Sequence, residues 1–292
     1  MRSIARAYIV LQGERYHPAY ISNHKSILGS LIDIVVGTDK RQRDFRTFKI
    51  SCAGSESPEV RRISRYVQET YGLEENEEAD LKIHIIKIDD MWEIGIQVTP
   101  RPLSVRDYRA INMSGAMDST IAYAVNSLGN VGTSASYLNI FSGSATLLIE
   151  AGQCYPNLRK LIGFDNNKEH LSYAIKNIKK AGLIKRIQVK EADIFDGPDL
   201  GKFDAIASDL PFGMSISKNE DLERLYKAFI KYCEEALEPN GKLVLYTSEY
   251  RLIEPIVSKS RLKIIRSLQL KFITSVGAYL KPKILVCKFK AR

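Results

Sequence analysis

Between residues 136 and 247 short apolar runs alternate with helix-like segments, and this alternation restricts the fold more than any other feature of the chain. Strands are expected at 136–141, 160–164, 187–191, 203–208 and 242–247, with helices at 145–154, 168–181 and 220–237. Strand–helix–strand repeats close through right-handed crossovers, which gives a parallel sheet with helices on both faces. That is an α/β, Rossmann-like, doubly wound sheet, and its ligand crevice lies at the C-terminal ends of the strands. The tail departs from the pattern. Residues 262–270 and 283–289 read as two strands with no room for a helix between them, so they are expected to form an antiparallel hairpin at the sheet edge.

The first hundred residues read differently, as an α+β unit. A strand is expected at 45–51 and a helix at 58–71, with Val60, Ile63, Val67 and Tyr71 on one face and Arg61, Arg62 and Arg65 around the others. Strands at 80–88 and 92–98 pair across a short turn. Pro100 and Pro102 break the pattern, a basic segment follows at 101–109, and a helix is expected at 117–128. The chain of 292 residues is long enough for two cores, so the expected division is 1–100, a basic linker at 101–116, and 117–292.

Composition narrows the function. A hydrophobic content of 45% with 26% charged residues is that of a soluble globular protein, and no run approaches the ~20 apolar residues of a membrane span. The N-terminus has no signal-peptide pattern. Cys52, Cys154, Cys233 and Cys287 are widely separated, which suits free thiols in a reducing cytoplasm. Neither they nor the four histidines have metal-ligand spacing. The net charge of +9 is uneven: residues 1–100 hold 14 Lys+Arg against 15 Asp+Glu, and residues 101–292 hold 29 against 19. Such an excess suits a polyanionic partner such as RNA, to which Arg61, Arg62 and Arg65 with Arg101, Arg106 and Arg109 would present a phosphate track.

The strand ends carry the chemistry. The first strand runs into Asn139-Ile140-Phe141-Ser142-Gly143-Ser144-Ala145, where small residues let the backbone approach a ligand at a helix N-terminus. Asp165, 22 residues after Gly143, ends the second strand and is followed by Asn166, a placement suited to ribose hydroxyls. Asp193 and Ile194 follow the third strand and would bracket an adenine ring. The fourth ends in Asp209-Leu210-Pro211-Phe212-Gly213. An acid, a spacer, a proline and an aromatic at a strand mouth suit methylation of an exocyclic base amine, whose lone pair is delocalised into the ring. Asp209 and the Leu210 carbonyl would each take one amine hydrogen and aim the lone pair at an incoming methyl group. Pro211 fixes φ, and with it the direction of that carbonyl. Phe212 offers a stacking face for a flipped-out base.

Residues 139–151, N-I-F-S-G-S-A-T-L-L-I-E-A, resemble the D-P-F-C-G-S-G-T-x-x-I-E-A signature of the THUMP-domain RNA methyltransferases. The D-L-P-F-G form is similar to the tRNA guanine-N2 methyltransferases of that family, and residues 103–109 to its L-x-x-R-x-Y-R linker. Residues 45–98 look like the tRNA-binding THUMP module itself. The resemblance spans about residues 25 to 292 and implies a class I S-adenosylmethionine-dependent methyltransferase fold, a seven-stranded sheet with an antiparallel C-terminal hairpin, behind a THUMP-like α+β domain. It implies methionine-moiety contacts at Asn139, Ser142, Gly143 and Ser144, ribose at Asp165, adenine at Asp193 and Ile194, and the target amine at Asp209 through Phe212. Thr120 matches a family position near the cofactor. Asn139 stands where the family has an acid, the family's cysteine is absent, and Ala145 replaces its second glycine. The implied activity is methyl transfer to a guanine N2 of tRNA. N6-adenine methylation of rRNA or DNA, and an inactive RNA-binding protein with the same fold, are the other two readings.

Overall fold

The computed structural model describes residues 2–21, 23, 25–39, 44–52, 57–111, 113–211, 219–275 and 278–291. The chain divides into two compact units, Ile4–Leu103 and Ser104–Arg292, the latter joined by the first three residues.

In the smaller unit, strands β1 (Tyr8–Gln12), β2 (Thr47–Cys52), β3 (Glu74–Glu75), β4 (Leu81–Ile88) and β5 (Met91–Gln97) form one sheet in the order β1-β5-β4-β2-β3. The short helix α1 (Pro18–Ile21) precedes α2 (Lys25–Gly37) and α3 (Pro58–Tyr71). Leu28, Ile32, Ile63 and Val67 from the helices and Phe48, Ile83 and Ile94 from the strands make the core. α3 is delimited by local chemistry: Ser57 Oγ caps Val60 N, proline occupies the first turn, and Gly72 ends the helix at φ 65°. Arg61, Arg62 and Arg65 lie on its exposed side. Residues before 45 hold β1 and α2, which the sequence reading did not assign.

The larger unit is a seven-stranded sheet in the order β11-β14-β10-β9-β6-β7-β8. Its members are β6 (Ser136–Ile140), β7 (Lys160–Asp165), β8 (Ile187–Glu191), β9 (Phe203–Asp209), β10 (Leu237–Thr247), β11 (Leu262–Gln269) and β14 (Lys283–Phe289). Five are parallel and adjacent, from β10 to β8, and β14 lies antiparallel between β10 and β11. Period-2 alternation sorts the side chains into two cores. Tyr137, Ala205, Val244 and Val286 face α4 (Ser119–Leu128), α5 (Thr146–Cys154) and α6 (Lys168–Lys180). Leu138, Ile206, Leu245 and Leu285 face α7 (Asn219–Ala236) and α8 (Tyr250–Lys259). Burial of both faces explains why these strands read as apolar runs. Asp204 pins β9 to the start of β6, its carboxylate accepting from Ala135 N, Ser136 N and Ser136 Oγ at 2.8–2.9 Å.

Two features of the tail were not expected. α8 contains Pro255, and the connection from β11 to β14 holds a second, smaller hairpin of β12 (Phe272–Ser275) and β13 (Ala278–Leu280). The pairing of β11 with β14 is as expected.

Candidate active site

β6 has β7 on one side and β9 on the other. The chain leaves β6 toward β7 and returns later to β9, so the sheet has its topological switch at β6/β9, where α/β proteins bind ligands. A cleft of about 540 Å³ opens there, larger than a groove of about 370 Å³ between α7 and α8. The strand tips supply its walls: Asn139 of β6 and Phe141–Ser144 beyond it, Asp165 at the end of β7 with Asn166, and Asp209 at the end of β9 with Leu210 and Pro211.

The loop after β6 is an unusual piece of backbone. Phe141, Gly143 and Ala145 all have positive φ, at 56°, 50° and 66°. Alternating left-handed residues turn successive N–H groups to one side, an arrangement suited to anionic ligands. Ala145 adopts the conformation that favours glycine and is fully buried at the start of α5. Its methyl group therefore faces the interior, and the departure from a second glycine does not fill the cleft.

Asp165 fastens this loop. One carboxylate oxygen accepts from Gly143 N at 2.8 Å and the other from Asn167 N at 3.0 Å. His170 Nδ1 stands 3.5 Å from the second oxygen, from the first turns of α6. Asn166 lines the cleft and donates to Asp193 Oδ2 at 3.0 Å, while Asp193 Oδ1 caps Phe195 N. Asp193 and buried Ile194 thus stand beside the cleft wall, reached through Asn166.

Three buried polar atoms around the cleft have no partner among the described residues: Asn139 Oδ1, Ser142 Oγ and Asp209 Oδ1. The Asn139 amide is held from its other end, donating to Ala207 O at 3.0 Å and Ile140 O at 3.2 Å. Burial pushes the Asp209 carboxyl up to about 8, because its charged form is stripped of water. The residues after it are fixed: Leu210 N donates to Tyr246 O at 3.0 Å, and Tyr226 Oη donates to Pro211 O at 2.9 Å. Burial also pushes the Tyr226 phenol up to about 12. Phe212 and Gly213 lie outside the described residues.

Two sequence expectations need correction. Thr120 does not line the cleft, because it sits in the first turn of α4 with N and Oγ1 both bonded to Asp118 Oδ1. Arg106 is not a surface cation. It is half-buried against the fully buried Glu150, 2.9 Å away, and also donates to Arg2 O. Tyr108 Oη and Arg2 donate to the same carboxylate. A buried carboxylate needs such compensation, so the network is structural. Arg109 is held too, donating to Met117 O, although its buried Nε has no partner among the described residues.

What replaces Thr120 is the strap before α4, of which residues 113–117 line the cleft. Asn177 of α6 holds it: Oδ1 accepts from Ala110 N at 2.9 Å and Ile111 N at 3.1 Å, while Nδ2 donates to Ser144 O at 3.3 Å. One buried amide thus joins the strap to the β6 loop. Nothing local in sequence marks Asn177, His170 or Tyr226, because their partners lie 5 to 67 residues away.

Residues 106–275 match the sequence profile of the RMKL-like methyltransferase domain, well over half of the chain. The chain belongs to the RMKL-like methyltransferase family. Bovine U6 snRNA (guanine-N(2))-methyltransferase THUMPD2 is 29% identical over 74% of this chain and 44% of its own length. The tRNA (guanine(6)-N2)-methyltransferase of Archaeoglobus fulgidus is 25% identical over 59% of this chain and 50% of its own. The chain therefore spans about half the length of the curated relatives it matches. TrmN from Thermus thermophilus superposes with a TM-score of 0.78 at 21% identity, covering 98% of this chain and 83% of TrmN. The fold is that of class I S-adenosylmethionine-dependent methyltransferases, as the family and the strand order both require.

Proposed function

We propose that this RMKL-like methyltransferase transfers a methyl group from S-adenosylmethionine to the N2 amine of a guanine in tRNA, in the cytoplasm. The observation that carries the reading is the enclosed, unpartnered Asp209 Oδ1 at the β9 tip, across one cleft from the loop that Asp165 fastens. The names of the relatives, guanine-N2 methyltransferases acting on tRNA or U6 snRNA, support the same amine.

The residues present fit the cofactor. A cleft of about 540 Å³ is in the usual range for a ligand of that size, and its unpartnered Asn139 Oδ1 and Ser142 Oγ suit the polar methionine end. Asn139, Ser142, Gly143 and Ser144 would hold that end, Asp165 and Asn166 the ribose, and Asp193 and Ile194 the adenine. When bound, S-adenosylmethionine supplies an electrophilic methyl group. Asp209 accepts one amine hydrogen and the Leu210 carbonyl the other, so the lone pair points out of the base plane, and transfer is direct, without a covalent enzyme intermediate. Tyr226 holds the Pro211 carbonyl and so fixes the turn that presents Leu210. Phe212 would stack on the base, and the THUMP-like first unit, with Arg61, Arg62, Arg65 and Arg101, would grip the RNA.

Labelled methyl transfer to unmodified bulk tRNA, followed by nucleoside analysis, tests the reading. N2-methylguanosine is the expected product. N6-methyladenosine would move the chain to the adenine class, and no incorporation into either tRNA or U6 snRNA would leave an RNA-binding fold without catalysis.

A further inference from the structure

After Glu254 the chain has ten Lys and Arg and no Asp or Glu, while residues 1–254 hold 33 basic and 34 acidic ones. The whole positive excess therefore sits on the C-terminal segment that builds β11, β12, β13 and β14. Three of these cations are engaged within the protein. Arg261 pairs with Glu234, Lys283 with Glu254, and Lys290 donates to Ser258 O and Ser260 O. Lys263, Arg266, Lys271, Lys281 and Lys288 are exposed, with no acidic partner among the described residues.

Their arrangement is directional. β11 is the outer edge of the sheet. Lys263 lies directly opposite Lys288, and Arg266 opposite Val286, so the three basic side chains share one face. Like charges directly opposite on paired strands are unfavourable, and no carboxylate among the described residues pairs with either lysine. At the other end, Leu268 pairs with Ile284, which pairs with Tyr246, which pairs with Asp209. The β12–β13 hairpin therefore leaves the sheet at its Asp209 end. It exposes Tyr279, 49% accessible, with the Lys271 ammonium 4.1 Å from the ring centroid. The strand between the two ends is about 23 Å long at ~3.3 Å per residue, enough to meet several consecutive phosphates.

We infer that the β11 edge and the β12–β13 hairpin form a phosphate track that guides an RNA strand toward the Asp209 end of the sheet, with Tyr279 as a stacking platform beside the entrance. This rests on the RNA reading above. It assigns RNA contact to the larger unit itself, where Arg106 and Arg109 were expected to supply it and are engaged elsewhere. Charge spacing along an edge strand, with an aromatic at one end, fits a nucleic-acid backbone better than an acidic protein surface.

The test is the triple variant Lys263→Gln/Arg266→Gln/Lys288→Gln in the full chain, with binding to unmodified bulk tRNA measured from low to high salt. Three lost phosphate contacts should lower the log–log salt slope by about 2–3 and weaken binding at least tenfold at ~0.15 M salt. The melting temperature should stay level or rise, since the Lys263–Lys288 repulsion is gone, and S-adenosylmethionine affinity should stay unchanged. Wild-type tRNA affinity and slope in a folded triple variant would overturn the track while leaving the methyltransferase reading intact. A wild-type protein that methylates no RNA, and binds phosphatidylserine vesicles through the same three residues, would overturn both.

Discussion

Two carboxylates stand at two strand tips of one cleft, and they are treated in opposite ways. Asp165, at the end of β7, is 7% exposed and has both oxygens bonded to backbone N–H groups. Asp209, at the end of β9, keeps one enclosed oxygen without a partner among the described residues, and burial pushes its pKa up to about 8. The first arrangement holds a loop in shape. The second leaves a strong acceptor waiting, and an unmatched buried acceptor costs stability unless something fills it. On the proposed function the contrast divides a binding half of the cleft from a reacting half, and substitutions can break it in either half.

The largest effect is expected from Asp209→Ala. Losing an interaction made mainly in the transition state costs ~2.7–4 kcal/mol, by analogy with an oxyanion donor. Turnover in single-turnover methyl transfer should fall about a hundred- to a thousandfold, while S-adenosylmethionine affinity by calorimetry changes little. Asp165→Ala should do the reverse. It loses charge-assisted bonds of ~1.5–3 kcal/mol each, so cofactor affinity should drop at least tenfold. An unchanged affinity would mean that the carboxylate serves the loop alone.

Stability gives the next contrast. The folded pKa of Asp209 lies above its ordinary 3.8, so the folded protein retains a proton that the unfolded chain releases between there and about 8. Wild-type stability should therefore decline as pH rises through that window. Asp209→Asn removes the penalty and should be more stable than wild type at pH 8 by a few kcal/mol, with the gap shrinking by about 1.4 kcal/mol per pH unit and closing only near pH 4 in thermal melts. A smaller effect is expected at the strap. Asn177→Leu leaves Ala110 N, Ile111 N and Ser144 O without their shared partner. It should raise the KM for S-adenosylmethionine several-fold, about 1 kcal/mol, and leave kcat nearly unchanged if the strap only shapes the binding half.

Much of this was readable in the sequence, for a physical reason. The strands of the larger unit are apolar on both faces, so Asp165 and Asp209 are marked by where the apolar runs stop, and Asn139 by a polar side chain near the end of one. α3 was equally plain because Val60, Ile63, Val67 and Tyr71 make a clean apolar stripe. α2 was not. Leu28, Leu31, Ile32 and Val35 do follow helical spacing, but Ile34 and Val36 are exposed beside them and blur the face. α8 was hidden by Pro255, which reads as a break. The strap and its fastening by Asn177 were invisible because the bonds join residues 66 and 67 positions apart. Arg106 shows the same limitation: local pattern cannot tell an RNA-facing cation from one whose bonds are already made by Glu150. Thr120 came from the family resemblance, and its N and Oγ1 are both bonded to Asp118.

The pH dependence of kcat/KM tests the difference between the two carboxylates most directly, because it reports the ionisation of the uncomplexed enzyme. If the anionic Asp209 must receive the amine hydrogen, kcat/KM for tRNA methylation should fall about tenfold per unit as pH drops from about 8 toward 6, and level off above about 8. A profile flat from pH 6 to 8 in the wild-type protein would contradict the account, since the enclosed carboxyl at the β9 tip would then play no part in the rate.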